Sequence, residues 1–397
     1  MMRLIFSKFF KAQITLGLLL GVLIAAQDPA GSPSAQVVLY VPQDYPTIQA
    51  AVDAAPEGAI ILIGAPLQPR GVYFEEAVVI SKSVTLRAQA FTAFIRGPDP
   101  LAVSKPVEGV INIVSDVPIQ VALEDLNISQ GELHNGIWVK GPAHVTLKKV
   151  YVSYYYDGGL LVEGSAHVTL RDSIVSGFFG IGVEVRGAVV ELINSQVAGT
   201  NQNIAGLSVG GASQVSLQDS VVSGHGWGIS AYGPAQVTLQ DSIVVGNGVG
   251  ISTSENIITE QPAMVTVKNS QISSNRYSGL NNRGGIVELQ DSFVIGNGVD
   301  PKCYQLPLAC GSGIILHRKA QLKLRSTEIR NNATWGVAAY LPQCGAPSYV
   351  PPFPFEVIFE DDKNVIENNN RSSVLNGMGN PGNHSFKNLP DGQVCLP

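Results

Sequence analysis

Residues 237–251 read Val-Thr-Leu-Gln-Asp-Ser-Ile-Val-Val-Gly-Asn-Gly-Val-Gly-Ile, and copies of this pattern recur along most of the chain. They open at Val121, Val145, Val168, Val190, Val215, Val237, Val265, Val287, Leu322 and Val357, at intervals, by subtraction, of 24, 23, 22, 25, 22, 28, 22, 35 and 35 residues. A repeat of this length cannot bury its own apolar face, so the pattern predicts a solenoid in which every turn leans on the next. Counted from each opener, the third position is Leu147, Leu170, Leu192, Leu217, Leu239, Val267, Leu289 and Leu324, and the eighth is Val152, Val175, Val197, Val222, Val244, Ile272, Val294 and Ile329. These columns point inward. Thr146, Thr169, Glu191, Ser216, Thr238, Thr266 and Glu288 alternate outward with them, as the two-residue period of a strand requires.

The fifth and sixth positions make a polar column: Asp172-Ser173, Asn194-Ser195, Asp219-Ser220, Asp241-Ser242, Asn269-Ser270 and Asp291-Ser292. A row of carboxylates invites a catalytic or calcium reading. Short polar side chains that bond nearby backbone belong, however, at a bend between strands. Asn194 and Asn269 also interrupt like charges that turns about 4.8 Å apart would stack in register. Asn247, Asn275, Asn297 and Asn332 mark a later bend, where Asn tolerates left-handed backbone.

Ahead of the repeats, residues 37–41 predict a strand and residues 46–55 a short helix with Ile48, Val52 and Ala55 on one face. Residues 59–63 and 78–86 predict further strands, and the whole forms a cap over the solenoid's first turn. Two insertions, 300–310 and 341–355, bulge from late turns. The expected organisation is a signal peptide at 1–26, a linker at 27–36, cap and first turns at 37–109, repeats at 110–360, and a tail at 361–397 that covers the open end.

Thr47-Ile-Gln-Ala-Ala-Val-Asp-Ala-Ala-Pro, followed by Gly71-Val-Tyr-Phe-Glu, resembles the N-terminal part of pectin methylesterases and of the wider pectin-lyase-like superfamily. The turns from Val121 onward look like the degenerate parallel β-helix repeats of the same group. This resemblance implies an all-β fold, a single-stranded right-handed parallel β-helix with a short N-terminal capping helix. It implies no single activity, because the superfamily includes lyases, hydrolases, esterases, adhesins and proteins without known catalysis. The esterase stretches Asp-Phe-Ile-Phe-Gly and Gly-Arg-Pro-Trp are absent, and the Gln-Asp pairs at 218, 240 and 290 are repeat positions. Gly224-His225-Gly226 resembles a polygalacturonase stretch, without the accompanying Asn-Thr-Asp. A catalytic member of this group would be a polysaccharide lyase, a glycoside hydrolase or a pectin esterase. Calcium enters only in the lyase case, and no other cofactor is assigned.

Candidate chemistry sits where the middle turns depart from the plain Gly-Asn-Gly bend. Tyr154, Tyr155, Tyr156, Phe178, Phe179, Trp227 and Tyr277 replace it there, beside Asp157, His225 and Arg276, with Glu132 and His134 one turn earlier. Rings along a solenoid edge suit stacking on sugar faces, so these seven aromatics are the candidate substrate-binding residues. Glu132, Asp157, His225 and Arg276 are the candidate catalytic groups. The competing expectation is that the rings fold inward as packing. His144 and His167 share a column on adjacent turns without an evident third ligand, and read as solvated histidines, not a metal site. Lys140, Glu163 and Arg186 read as a cross-turn ion ladder.

The 397 residues are 45% hydrophobic and 14% charged with 42 Gly, a composition suited to many short strands and turns. A net charge of −6 without a basic run excludes the electrostatic footprint of a nucleic-acid binder. Arg3, Lys8 and Lys11 precede the apolar run 14–26, the layout of a secretory signal, with an uncleaved anchor as the alternative. The expected location is secreted, periplasmic or cell-surface, with no membrane segment after cleavage. Cys303, Cys310, Cys344 and Cys395 all lie in the last quarter, unlike a zinc site. Pairing 303 with 310 and 344 with 395 is preferred among three connectivities. The expectation is an exported protein that binds a polysaccharide or cell-envelope glycan; the alternatives are a non-catalytic scaffold and a pectinase-type esterase or lyase. Oligomeric state is not fixed by the sequence.

Overall fold

The computed structural model describes residues 36–64, 72–89, 93–99, 107–129, 133–154, 157–177, 179–256, 258–300, 311–346, 351, 353–370 and 393–396. A regular turn of the chain contributes three strands, the middle and closing ones running together as Gln196–Gly210 and Val221–Tyr232 in two turns. In one turn Ala143–Lys148 opens, Tyr151–Tyr154 follows and Gly158–Glu163 closes; the next repeats this with His167–Arg171, Ile174–Gly177 and Ile181–Arg186. Opening strands stack in parallel from Val38–Val41 to Glu356–Phe359, while middle and closing strands form a second sheet.

Val84, Val121, Val145, Val168, Val190, Val215, Val237, Val265, Val287, Leu322 and Val357 pair directly from turn to turn, so the opener column is one register line. The line includes Val84, and Ala59–Ile63 pairs with the strand that holds it. Regular turns therefore begin well before residue 110. The apolar columns merge into one continuous core, as stacking of like residues demands.

Both bends are lined by internal polar ladders. At the first, Asp172, Asn194, Asp219, Asp241, Asn269 and Asp291 have φ of 51°, 47°, 50°, 51°, 45° and 49°, and each precedes a buried serine. The amides of Ser173, Ser195, Ser220, Ser242 and Ser270 donate to the next turn's serine Oγ at 3.1, 3.1, 3.1, 2.9 and 3.2 Å. The carboxylate column is thus set by left-handed backbone, and the serines satisfy amides that a bend removes from the sheet.

The second bend corrects the sequence reading of its asparagines. The left-handed residues are the ones before them, Gly246, Ser274, Gly296 and Asn331. Asn247, Asn275, Asn297 and Asn332 themselves are buried, and each backbone amide donates to the next Oδ1 at 3.0 to 3.1 Å, ending on Asn369. Asn369 donates in turn to Gln393 Oε1 at 3.2 Å. Glycine is required beside this ladder: a Cβ on Gly228 would meet Gly250 O at 2.5 Å and Asn247 Nδ2 at 2.8 Å.

The helix Ile48–Ala54 packs Ile48, Ala51 and Val52 into the core, with Thr47 Oγ1 accepting from Ala50 N at 3.1 Å. Glu76 accepts from the amides of Ile48 and Gln49 at 2.9 and 3.0 Å, placing a carboxylate on the exposed N–H groups of the first helical turn. Residues 78–86 divide into Val78–Ile80 and Val84–Ala88, which lie in different sheets. Polar Ser81-Lys82-Ser83 breaks the alternation between them.

Strands also continue past residue 360. Val365–Glu367 pairs with Glu328–Arg330, and Val394–Cys395 with Val337–Ala339, so part of the tail completes a last turn. Cys344 is joined to Cys395 with a Cα separation of 5.7 Å, beside buried Trp335, whose Nε1 donates to Cys344 O at 3.0 Å. Cys303, Cys310 and the expected signal at 1–26 lie outside the described residues.

Candidate functional site

Of the four candidate aromatics among the described residues, three are exposed at the second bend: Phe179 at 38%, Trp227 at 44% and Tyr277 at 37%. They follow the opening strands His167–Arg171, Gln214–Gln218 and Met264–Lys268, with Val189–Ile193 and Gln236–Gln240 intervening. The rings therefore occupy every second turn, an axial step of about 9.6 Å at the usual strand spacing. They are staggered along the strands: Trp227 is in register with Ile181 and Ser278, two residues after Phe179 and one after Tyr277. Ile204, exposed on an intervening turn, immediately precedes Ala205, the register partner of Trp227.

Tyr154 is not on this edge. It is 3% exposed, because Tyr151 and Ser153 alternate outward and carry Val152 and Tyr154 inward. Its ring covers Gly177 of the next turn, where a Cβ would meet ring carbons at 2.5 Å. Glu132, Tyr155, Tyr156 and Phe178 lie outside the described residues.

His225 is also removed from the edge. It is fully buried at the head of the asparagine ladder, its amide donating to Asn247 Oδ1 at 3.0 Å. Neither ring nitrogen reaches a partner in hydrogen-bonding geometry. Burial pushes its pKa down to about 4, an effect that the nearby Asn247 side chain and Ser223 backbone offset only in part. A neutral imidazole sealed in the core is a packing group, not an acid or base for an external substrate.

The remaining charged candidates are engaged with neighbours. Asp157 Oδ2 lies 2.5 Å from His134 Nδ1, both side chains well exposed. Arg276 Nε donates to Asp300 Oδ2 at 2.6 Å, and this bond holds the guanidinium firmly protonated. The same guanidinium lies 5.4 Å from the Tyr277 ring centre, a cation–π contact that steadies the ring at the edge. Arg276 thus acts as a positioning group for Tyr277.

Two other sequence features take shape on the outer faces. Lys140, Glu163 and Arg186 are in register, with Arg186 3.3 Å from Glu163. Trp138 Nε1 donates to Glu163 at 2.8 Å, and Lys140 lies 5.6 Å from the Trp138 ring, so an indole is built into that ladder. His144 and His167 stand with ring centres 5.6 Å apart, and His167 Nε2 is 3.5 Å from Glu191. Among the described residues no three His, Cys, Asp or Glu side chains converge. Asn332, one of four Asn-x-Ser/Thr positions, is buried in the ladder and closed to glycosylation.

Two overlapping segments, residues 135–285 and 205–388, match the family described as right handed beta helix region, and together they span more than half of the chain. The chain belongs to the right-handed β-helix family. Its architecture is that of pectin-lyase-like proteins. The A-module of the mannuronan C-5 epimerase AlgE4 from Azotobacter vinelandii is similar at 15% identity, with 81% of this chain and 94% of that chain covered and a TM-score of 0.55. The catalytic domain of a GH87 α-1,3-glucanase is similar at 13% identity, with 85% and 70% covered and a TM-score of 0.49. Pectin methylesterase PemA from Erwinia chrysanthemi is similar at 12% identity, with 64% and 88% covered and a TM-score of 0.38. No curated protein sequence matches the chain.

At 15% identity this β-helix protein shares a fold with the epimerase module, and a shared fold does not carry an activity with it. One outward cluster escaped the sequence reading. Tyr73, Phe94 and Tyr151 lie on a single register line of the middle strands, with Asn127 between the last two. The signal was present in Gly71-Val-Tyr-Phe-Glu, where alternation sends Tyr73 out and Phe74 in.

Proposed function

We propose that this protein is an exported β-helix that binds a polysaccharide laid along the solenoid axis over Phe179, Trp227 and Tyr277. The observation that carries the proposal is the exposure of these rings on alternate turns. An axial step of about 9.6 Å between ring-bearing turns suits contact with every second sugar of an extended chain. Aromatic faces stack on the C–H faces of pyranose rings and exclude water from them. The glycan class is further supported by the fold shared with a protein named mannuronan C-5 epimerase. Export rests on the signal layout of residues 1–26. No reaction is assigned. His225 is buried, while Asp157 and Arg276 are engaged with His134 and Asp300.

The test is a glycan array followed by titration of the best ligand, with Trp227→Ala beside the parent protein. Loss of one stacking ring should weaken binding about tenfold, the equivalent of about 1.4 kcal/mol, with unfolding unchanged. Absence of binding by the parent, or equal binding by Trp227→Ala, would sink the proposal. Incubation with uronic-acid polymers, read for reducing ends, unsaturated products and methanol, tests for turnover.

A further inference from the structure

The line Tyr73, Phe94, Asn127, Tyr151 lies on turns ahead of the Phe179–Tyr277 edge and has a different construction. Tyr73 and Phe94 stack with ring centres 4.9 Å apart and planes 17° from parallel. Asn127, one turn on, is short, and its Nδ2 turns back toward Ala93 O at 3.5 Å. The next ring is Tyr151. Phe94 and Tyr151 therefore stand two turns apart, about 9.6 Å at the strand spacing, with a gap between them over Asn127. A flat ring needs roughly 3.5 Å of clearance on each face to make dispersion contact.

The gap is a cleft of about 310 Å³, walled mainly by the rings, with Asn127 between them and the inward core residues Ile95 and Ile128 behind. That volume is at the small end for ligand sites and suits a group of one or two rings. Its polar groups are few: Asn127 in the gap and, in the neighbouring outward column, Arg96, Ser129 and Ser153 in register. The Arg96 guanidinium has no ion-pair or hydrogen-bond partner among the described residues. Glu75 is its register neighbour on the far side. An unpaired guanidinium at the mouth of an apolar slot selects for a planar anion.

We propose that the slot between Phe94 and Tyr151 is a second ligand site, which takes a planar aromatic carboxylate with its ring between the two side chains and its carboxylate on Arg96. A sugar ring is a poorer occupant, because most of its hydroxyls would face apolar wall. The site is independent of the glycan proposal, sharing neither residues nor ligand chemistry with it.

The experiment titrates the full chain with cinnamate and with methyl cinnamate, its uncharged counterpart, by calorimetry and by quenching of Tyr and Trp emission. Cinnamate should bind saturably with one site, and methyl cinnamate about tenfold more weakly. Arg96→Gln should weaken cinnamate about tenfold and leave methyl cinnamate unchanged. Tyr151→Ala should weaken both. Both side chains are outward, so thermal unfolding of the variants should match the parent. Failure of cinnamate to saturate, or unchanged binding in Tyr151→Ala, overturns the site. Equal binding of acid and ester overturns the role of Arg96. Because Trp227→Ala should leave cinnamate binding intact, failure of this site and failure of the glycan edge are read separately.

Discussion

His225 shows how one side chain can be misread from its neighbours and correctly placed by its spacing. Gly224-His225-Gly226 looks like a departure from the repeat, yet His225 lies one turn before Asn247, at the ladder position itself. Its burial has a consequence for pH. A histidine held near pKa 4 when folded and about 6.5 when unfolded stays neutral in the native state, so its stabilising share is present above pH 6.5 and is lost as pH falls toward 4. The shift corresponds to about 3 kcal/mol. His317 adds a loss of the same sign, its pKa pushed to about 4 by burial and then by Arg283. His225→Asn should extend the asparagine ladder by one member and flatten the decline. Thermal unfolding between pH 7.5 and 4.5 should show the parent losing stability and the variant losing less. An identical pH slope in both would refute this role. Tyr154 was equally readable, since counting in twos from Val152 turns it inward; what hid it was the run of aromatics around it.

At the scale of the strand and its bends, the apolar columns were legible because Val and Leu repeat without ambiguity. The polar bends were legible only as bends. Serine and asparagine are good turn residues in any protein, so nothing in their type distinguishes a solvated turn from an internal ladder. The difference is energetic. Asn297→Ala would strip the acceptor from the amide and Nδ2 of Asn275, which bond to Asn297 Oδ1 at 3.1 and 2.9 Å. Two buried donors left unpaired should cost about 3 kcal/mol in denaturant unfolding. Asp291→Asn, at an exposed left-handed position that Asn also tolerates, should change stability by less than about 0.5 kcal/mol. Comparable losses in the two variants would mean that the ladder contributes no more than the turn.

In the molecule as a whole, the two ends are finished differently. The N-terminal side carries the helix Ile48–Ala54, whereas at the C-terminal side Val394–Cys395 supplies a last strand and Gln393 the last ladder acceptor. The Cys344–Cys395 bond holds that strand across a sequence separation of 51 residues, and such a loop is worth about 4 kcal/mol in the chain-entropy account. The double variant Cys344→Ser, Cys395→Ser should expose amides of Val337–Ala339 to hydrogen exchange first, while Ala143–Lys148 keeps its protection. Uniform loss of protection would mean that the solenoid opens as one unit. The unbroken register line through Val237 and Val265 has a further meaning. Excising residues 237–264 would bring Val265 beside Val215 and Asn275 beside His225, like replacing like in the opener column and the asparagine ladder. Ser278 would then pair with Trp227, and Tyr277, one residue earlier, would stand on the adjacent turn, at half the present axial step. The core is indifferent to the number of turns, but the edge is not: the solenoid works as a ruler, and its graduations are set by where the rings fall.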